Sequence, residues 1–117
     1  MGNILRDKSF AFALRIVKLY SFLTEEKKEY VLSRQVLKSG TSIGANIREG
    51  KNAQSNSDFV SKYSIALKEA DETQYWIELI YAAKLIDNDA YESLNNDVNE
   101  LIALLTSSIK TAKNNGK

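Results

Sequence analysis

The side chains best able to do chemistry in this chain are carboxylates: Glu49, Glu69, Asp71 and Glu72. Glu69 and Glu72 stand three residues apart, a spacing that on a helix aims both groups to roughly the same side. Such a pair can act as general acid and base, or can hold a metal. With no histidine and no cysteine in the chain, the ligands would all be oxygen, which suits magnesium or manganese. The same absence removes Ser-His and Cys-His nucleophiles, the usual zinc sites, the Glu-x-x-His pairs of di-iron bundles and ribonucleases of the Arg-x4-His type. Acids set among apolar residues more often pair with a basic or amide group across a helix contact, and Arg48 and Asn46 are the expected partners. The chain is therefore expected not to be an enzyme. No catalytic residue, metal or cofactor is assigned, and no small-molecule substrate is evident.

The second kind of chemistry is electrostatic. A net charge of only +1 argues against a dedicated nucleic-acid binder, yet the two halves differ. Residues 1–54 carry ten basic and five acidic side chains, whereas residues 55–117 carry six basic and ten acidic. A bundle would gather Arg15, Lys18, Arg34, Lys38, Arg48 and Lys51 on one basic side, and a ring of copies would multiply its field. RNA or DNA is the partner such a side would attract. Ordinary surface charge, paired between helices, is the competing reading. No aromatic single-strand platform or groove-reading motif accompanies these cations.

Helices must position these groups. A chain of 117 residues makes one domain with a single core, and its 44% hydrophobic and 26% charged content describes a globular protein. Proline is absent, so nothing forces a helix to break. No apolar run approaches the roughly 18 residues of a membrane span, so no membrane partner is expected. Arg6, Asp7 and Lys8 interrupt any signal-like apolar stretch, and the lack of cysteine points to the cytoplasm.

The apolar spacing predicts four helices. The first spans about residues 6–23, with a core stripe of Phe10, Ala13, Leu14, Ile16, Val17, Tyr20 and Leu23, widened by Phe12 and Leu19. Thr24 is the expected cap before a second helix over about 26–53. There Ser33, Val36, Leu37, Gly40, Ile43, Gly44 and Ile47 share a face. Two glycines inside a helix cost about 1 kcal/mol each against alanine, so Gly40 and Gly44 imply close approach by another backbone. A loop through residues 39–46 is the alternative. Gly50 fits the C-terminal end of this helix. A third helix over about 57–84, opened by Ser57 and Asp58, carries a core face of Phe59, Tyr63, Ala66, Ala70, Thr73, Ile77 and Tyr81. Its second stripe holds Ile65, Glu69, Glu72, Trp76, Leu79 and Ala83. One apolar face suffices for a monomeric bundle, so the second stripe suggests a contact between subunits; a partly solvated flank of a wide core is the alternative. The fourth helix, about 88–113, is capped by 87–89 and has a stripe from Tyr91 to Ala112; a disordered tail over about 114–117 follows. Short connections predict an all-α, antiparallel up-down-up-down four-helix bundle.

The same residues carry a family resemblance. Ser42-Ile43-x-x-Asn46-Ile47-x-Glu49-Gly50 is similar to the S-I-x-x-N-I-A-E-G signature of the 23S rRNA-intervening-sequence protein family, small four-helix bundle proteins. Phe59 and the run Ile65-Ala66-Leu67-Lys68-Glu69-Ala70-x-Glu72-Thr73 resemble that family's second block. The chain departs from it at Arg48, where relatives often carry alanine, and at Lys68-Glu69, where many carry a small or glycine-containing pair. The resemblance implies a homo-oligomer, five subunits being the family-based number. A relative in diversity-generating retroelements assists a reverse transcriptase by binding nucleic acid. On this reading Gly40, Gly44, Asn46, Glu49, Gly50, Ile65, Glu69, Glu72, Trp76 and Leu79 serve assembly or the family motif. The expected function is a non-catalytic oligomer that binds RNA or DNA through a basic face, and the alternative is a purely structural or protein-binding adaptor.

Overall fold

A computed structural model describes residues 3–116. Four helices follow one another: α1 (Asn3–Glu25), α2 (Leu32–Lys51), α3 (Asn56–Ala82) and α4 (Asn88–Asn115), and the described residues include no strand. Paired residues give the directions. Ser9 and Ile16 of α1 meet Gly44 and Gly40 of α2, and Ser39 and Gly50 of α2 meet Thr73 and Tyr63 of α3. Asn56 and Gln74 of α3 reach Ala112 and Asn95 of α4, and Lys8 and Arg15 of α1 reach Glu100 and Asp97 of α4. Each pair of neighbours runs antiparallel, as the short connections require.

Two glycines place α1 against α2. A Cβ added at Gly40 would stand 2.9 Å from both Cγ atoms of Ile16, and one at Gly44 would stand 3.3 Å from the Ser9 hydroxyl and 3.5 Å from its carbonyl oxygen. The missing side chains let α1 lie directly on α2, so residues 39–46 are helix and not loop. Gly50 plays the same part against α3, because an added Cβ there would lie 2.6 Å from the Tyr63 ring. It is a helical residue one position short of the end of α2, with Asn52 as the cap.

The core of α2, α3 and α4 follows the expected stripes, from Val36, Ile43 and Ile47 through Ala66, Ala70 and Ile77 to Leu94, Val98 and Leu105. The face of α1 does not. Leu5, Ser9, Phe12, Ile16, Leu19 and Leu23 are buried, whereas Phe10, Leu14 and Val17, expected in the core, are 56%, 51% and 43% exposed. Apolar residues occur around most of α1, and periodicity alone does not choose between overlapping stripes. Packing on Gly40 chooses: with Ile16 seated there, Phe10, Leu14 and Val17 turn outward.

The start of α2 also differs. It begins at Leu32 and not near residue 26, and Thr24 caps nothing: its hydroxyl donates to Tyr20 and Ser21 carbonyls inside α1. Lys28 takes a left-handed φ of 54° in the turn. Glu29 then caps α2, its carboxylate accepting from the amides of Val31, Leu32 and Ser33 at 3.1, 2.9 and 2.8 Å. These are amides that a helix start leaves without internal partners. Burial raises the Glu29 pKa, but the three amide bonds and one from the Ser33 hydroxyl outweigh it and hold the carboxyl below its ordinary value of 4.5.

Ser55, not Ser57, caps α3 by accepting from the Asp58 amide at 3.0 Å. Asp87 caps α4 by accepting from the Ala90 amide at 2.8 Å. The tail expected to be disordered begins as helix: Asn114 and Asn115 continue α4, and Asn56 ties its end by donating to the Ala112 carbonyl at 3.0 Å. Lys117, the last residue of that expected tail, lies outside the described residues.

Two stability predictions follow from these contacts, both read at fixed protein concentration. Gly40→Ala must push Ile16 aside, an overpacking of about 1–3 kcal/mol offset by up to about 1 kcal/mol of helix propensity. A urea titration should show a clear net loss, and Gly44→Ala, meeting looser contacts, should lose less. Glu29→Gln should cost about 1 kcal/mol at neutral pH. Because the folded carboxyl titrates below the unfolded one, its contribution is complete above about 4.5 and disappears as pH falls through the folded value. Thermal melts of the two proteins should therefore converge in acid.

Candidate functional site

The expected carboxylate site does not converge. Among the described residues no three acids stand close enough to hold a metal ion. Glu49 is exposed and pairs with Lys62 of α3 at 3.0 Å, not with Arg48. The Glu49 carboxylate, by hydrogen bond and then by charge, holds the Lys62 ammonium above its ordinary pKa. Asn46 donates to the Ser42 carbonyl of its own helix at 2.9 Å, so it does not bridge to an acid. Glu72 accepts from the Trp76 indole one turn along α3 at 3.1 Å. Glu69 is half-buried, and neither it nor Glu72 has a cation within ion-pair distance among the described residues.

These α3 residues lie on the flank that borders α2, as two contacts fix. Thr73 and Ser39 bring their hydroxyls to 2.8 Å inside the α2–α3 seam, and Lys62 crosses it to Glu49. Ile65, Glu69, Glu72 and Trp76 follow at helical spacing on the solvent side of that seam. Ile65 is 39% exposed, and Trp76, Leu79 and Glu69 are half-buried. Ile65, Glu69, Glu72, Trp76 and Leu79, the residues expected at a subunit contact, share this one flank. Gly40, Gly44 and Gly50, expected to serve assembly or the family motif, make the close approaches between helices of one chain, with Ile16, Ser9 and Tyr63 in the space their side chains would need.

The six expected cations do not form one patch. Arg15 is held by Asp97 of α4 at 2.6 Å, and Lys18 edges a cleft of about 470 Å³ between α1 and α4 with Leu19, Phe22, Ile86 and Leu94. Lys51 lies near Ile4, Phe59 and Leu104. Arg34 and Lys38 are exposed, one turn apart on α2, with no carboxylate at ion-pair distance among the described residues. Arg48 turns toward α1 and lies beside Arg6, Asp7, Phe10 and Leu14.

That last grouping was absent from the sequence reading. Phe10, Ala13, Thr41, Gly44, Ala45 and Arg48 line a groove of about 420 Å³ along the α1–α2 seam. Ser9 and Gly44, in close contact, lie together in its lining. Arg6 and the acid Glu49 complete its lining, and the exposed Leu14 and Val17 continue the row of Phe10 along α1. The surplus of apolar residues around α1 was the available signal.

Fold and surface together define a small antiparallel four-helix bundle whose distinctive features are exposed mixed faces and not a closed pocket of converging polar groups. A model of the 23S rRNA-intervening sequence protein family matches residues 3–107, and the chain belongs to that family. It is also similar to a crystal structure of a protein of unknown function from the S23 ribosomal protein family of Bacteroides thetaiotaomicron VPI-5482. The two share 57% sequence identity and a TM-score of 0.92, over 93% of this chain and 97% of that one. No curated protein matches the chain.

Proposed function

We propose that the chain is a non-catalytic, self-assembling protein of the cytoplasm that holds RNA or DNA by phosphate contacts along α2, without metal or cofactor. The observation that carries this reading is the state of Arg34 and Lys38. Three cations at the seams between helices are spent on ion pairs, Lys8 with Glu100, Arg15 with Asp97 and Lys62 with Glu49. Arg34 and Lys38 are exposed and have no such partner among the described residues. Repetition of the pair around an oligomer, five copies in the family-based reading, would build a field that a chain of net charge +1 does not have alone. The family takes its name from an intervening sequence of 23S rRNA, which makes RNA the first polyanion to test.

Fluorescence anisotropy with a labelled single-stranded RNA over a range of potassium chloride concentrations tests the proposal. Affinity should fall with salt, by a slope of about −0.7 for each phosphate neutralised on a single strand. The double variant Arg34→Gln, Lys38→Gln should bind more weakly with a shallower slope. Arg15→Gln loses an exposed ion pair worth at most about 1 kcal/mol and should leave the slope unchanged. Absence of salt-dependent binding at low ionic strength would contradict the proposal and favour the structural or protein-binding adaptor.

A further inference from the structure

The cleft of about 470 Å³ between α1 and α4 takes no part in the contacts proposed for α2. Arg15, Lys18, Leu19 and Phe22 follow one another at helical spacing as its α1 wall. Ala90 and Leu94 form its α4 wall, with Ile86 from the preceding turn. Leu19 and Leu94 are buried, whereas the Phe22 ring is 40% exposed. A recess of this size, mostly apolar with a few polar groups at its edge, is the usual form of a small-molecule site. The charged groups around it are not equivalent. Arg15 is engaged: it donates to Asp97 at 2.6 Å and to the Ser93 carbonyl at 3.4 Å. Asp87 uses a carboxylate oxygen to cap α4. It lies about 15 Å along the helix axis from Asp97, at the end where the Lys27 ammonium stands 5.7 Å from the Phe22 ring centre. Lys18, one turn from Arg15, is exposed and has no carboxylate at ion-pair distance among the described residues.

We propose that this cleft binds a small amphipathic carboxylate, with the head group on Lys18 and an alkyl chain laid between Leu19, Phe22, Ile86 and Leu94. The site is separate from Arg34 and Lys38, and the proposal does not depend on nucleic-acid binding. Charge selects the head group. A carboxylate supplies the counter-charge that Lys18 lacks, whereas an ammonium head would meet Lys18 with like charge. The acids nearby do not oppose it: Asp97 is neutralised by Arg15, and Asp87 stands at the opposite end of the cleft. Length selects the chain. From Arg15 to Phe22 the α1 wall runs about 10 Å, the reach of a medium-length alkyl group. Ala90 leaves the middle of the α4 wall low, between Ile86 and Leu94. Because Lys18 is exposed, the head group stays in water while the chain is covered, so no ion is buried without a partner.

Backbone amide NMR spectra of the full chain, titrated with octanoate and separately with octanol, test the site. Octanoate should give saturable shifts confined to residues 15–22 and 86–94. Hexanoate, two methylenes shorter, should bind roughly tenfold more weakly, since each methylene covered is worth about fourfold in affinity. Lys18→Gln should weaken octanoate by up to about fivefold, the value of an exposed ion pair, and leave octanol unchanged. Ala90→Leu, at a half-buried position where leucine suits a helix, should fill the cleft and abolish binding of both, with circular dichroism confirming wild-type helix content. Three results would overturn the proposal. One is the absence of saturable shifts at the cleft, whether it stays empty or is covered by another copy of the chain. Another is shifts spread over all four helices, the mark of a detergent action. The third is a Lys18→Gln variant that binds octanoate as well as wild type does, or that loses octanol equally.

Discussion

The approach of Ile16 to Gly40 sets the rotation of α1, and the rest of the molecular surface follows from that rotation. Ile16 occupies the space that any side chain at position 40 would need, so α1 lies close on α2. An interior packed to crystal-like density fixes such a contact within a few tenths of an ångström. Leu5, Phe12, Leu19 and Leu23 are then carried into the core, and Phe10, Leu14 and Val17 are carried out of it. The exposed stripe is a consequence of a core contact; no core position was left for it.

Polar groups lock the same arrangement. Glu29 satisfies the start of α2, the Ser39 and Thr73 hydroxyls meet inside the α2–α3 seam, and Gln74 donates to Asn95 and Asn99 across α3 and α4. No buried side-chain polar atom among the described residues lacks a partner. Charge is then divided by location. Ion pairs at the α1–α4 and α2–α3 seams join neighbouring helices, and Arg34 and Lys38 stand exposed on α2 without such partners among the described residues.

Much of this was legible from periodicity. Four helices, the buried faces of α2, α3 and α4, and the need for a close approach at Gly40 and Gly44 all follow from residue type and spacing. The face of α1 was not legible, because Phe10, Phe12, Leu14, Ile16, Val17 and Leu19 supply two overlapping stripes, and the choice between them is made by α2. The start of α2 was missed because Glu29 caps from three residues before Leu32, a geometry that turn chemistry around Thr24 does not reveal. The carboxylates were over-read for a related reason. Spacing puts Glu69 and Glu72 on one side of a helix, but whether Arg48 reaches them depends on how α2 is rotated, and it is rotated toward α1. The family signature around Asn46 and Glu49 was readable as a resemblance, whereas the roles of its glycines needed their neighbours.

The account turns on whether the flank around Trp76 is covered by another copy of the chain. Trp76 is the only tryptophan of the chain, so acrylamide quenching of its emission reads that flank alone. The account predicts that wild-type protein at micromolar concentration shields Trp76, and that Ile65→Asp, about three turns away on the same flank, raises quenching of Trp76 substantially while the helical spectrum stays the same. Equal quenching of an assembled wild type and the variant would contradict it, because the α3 flank would then be open to solvent in both.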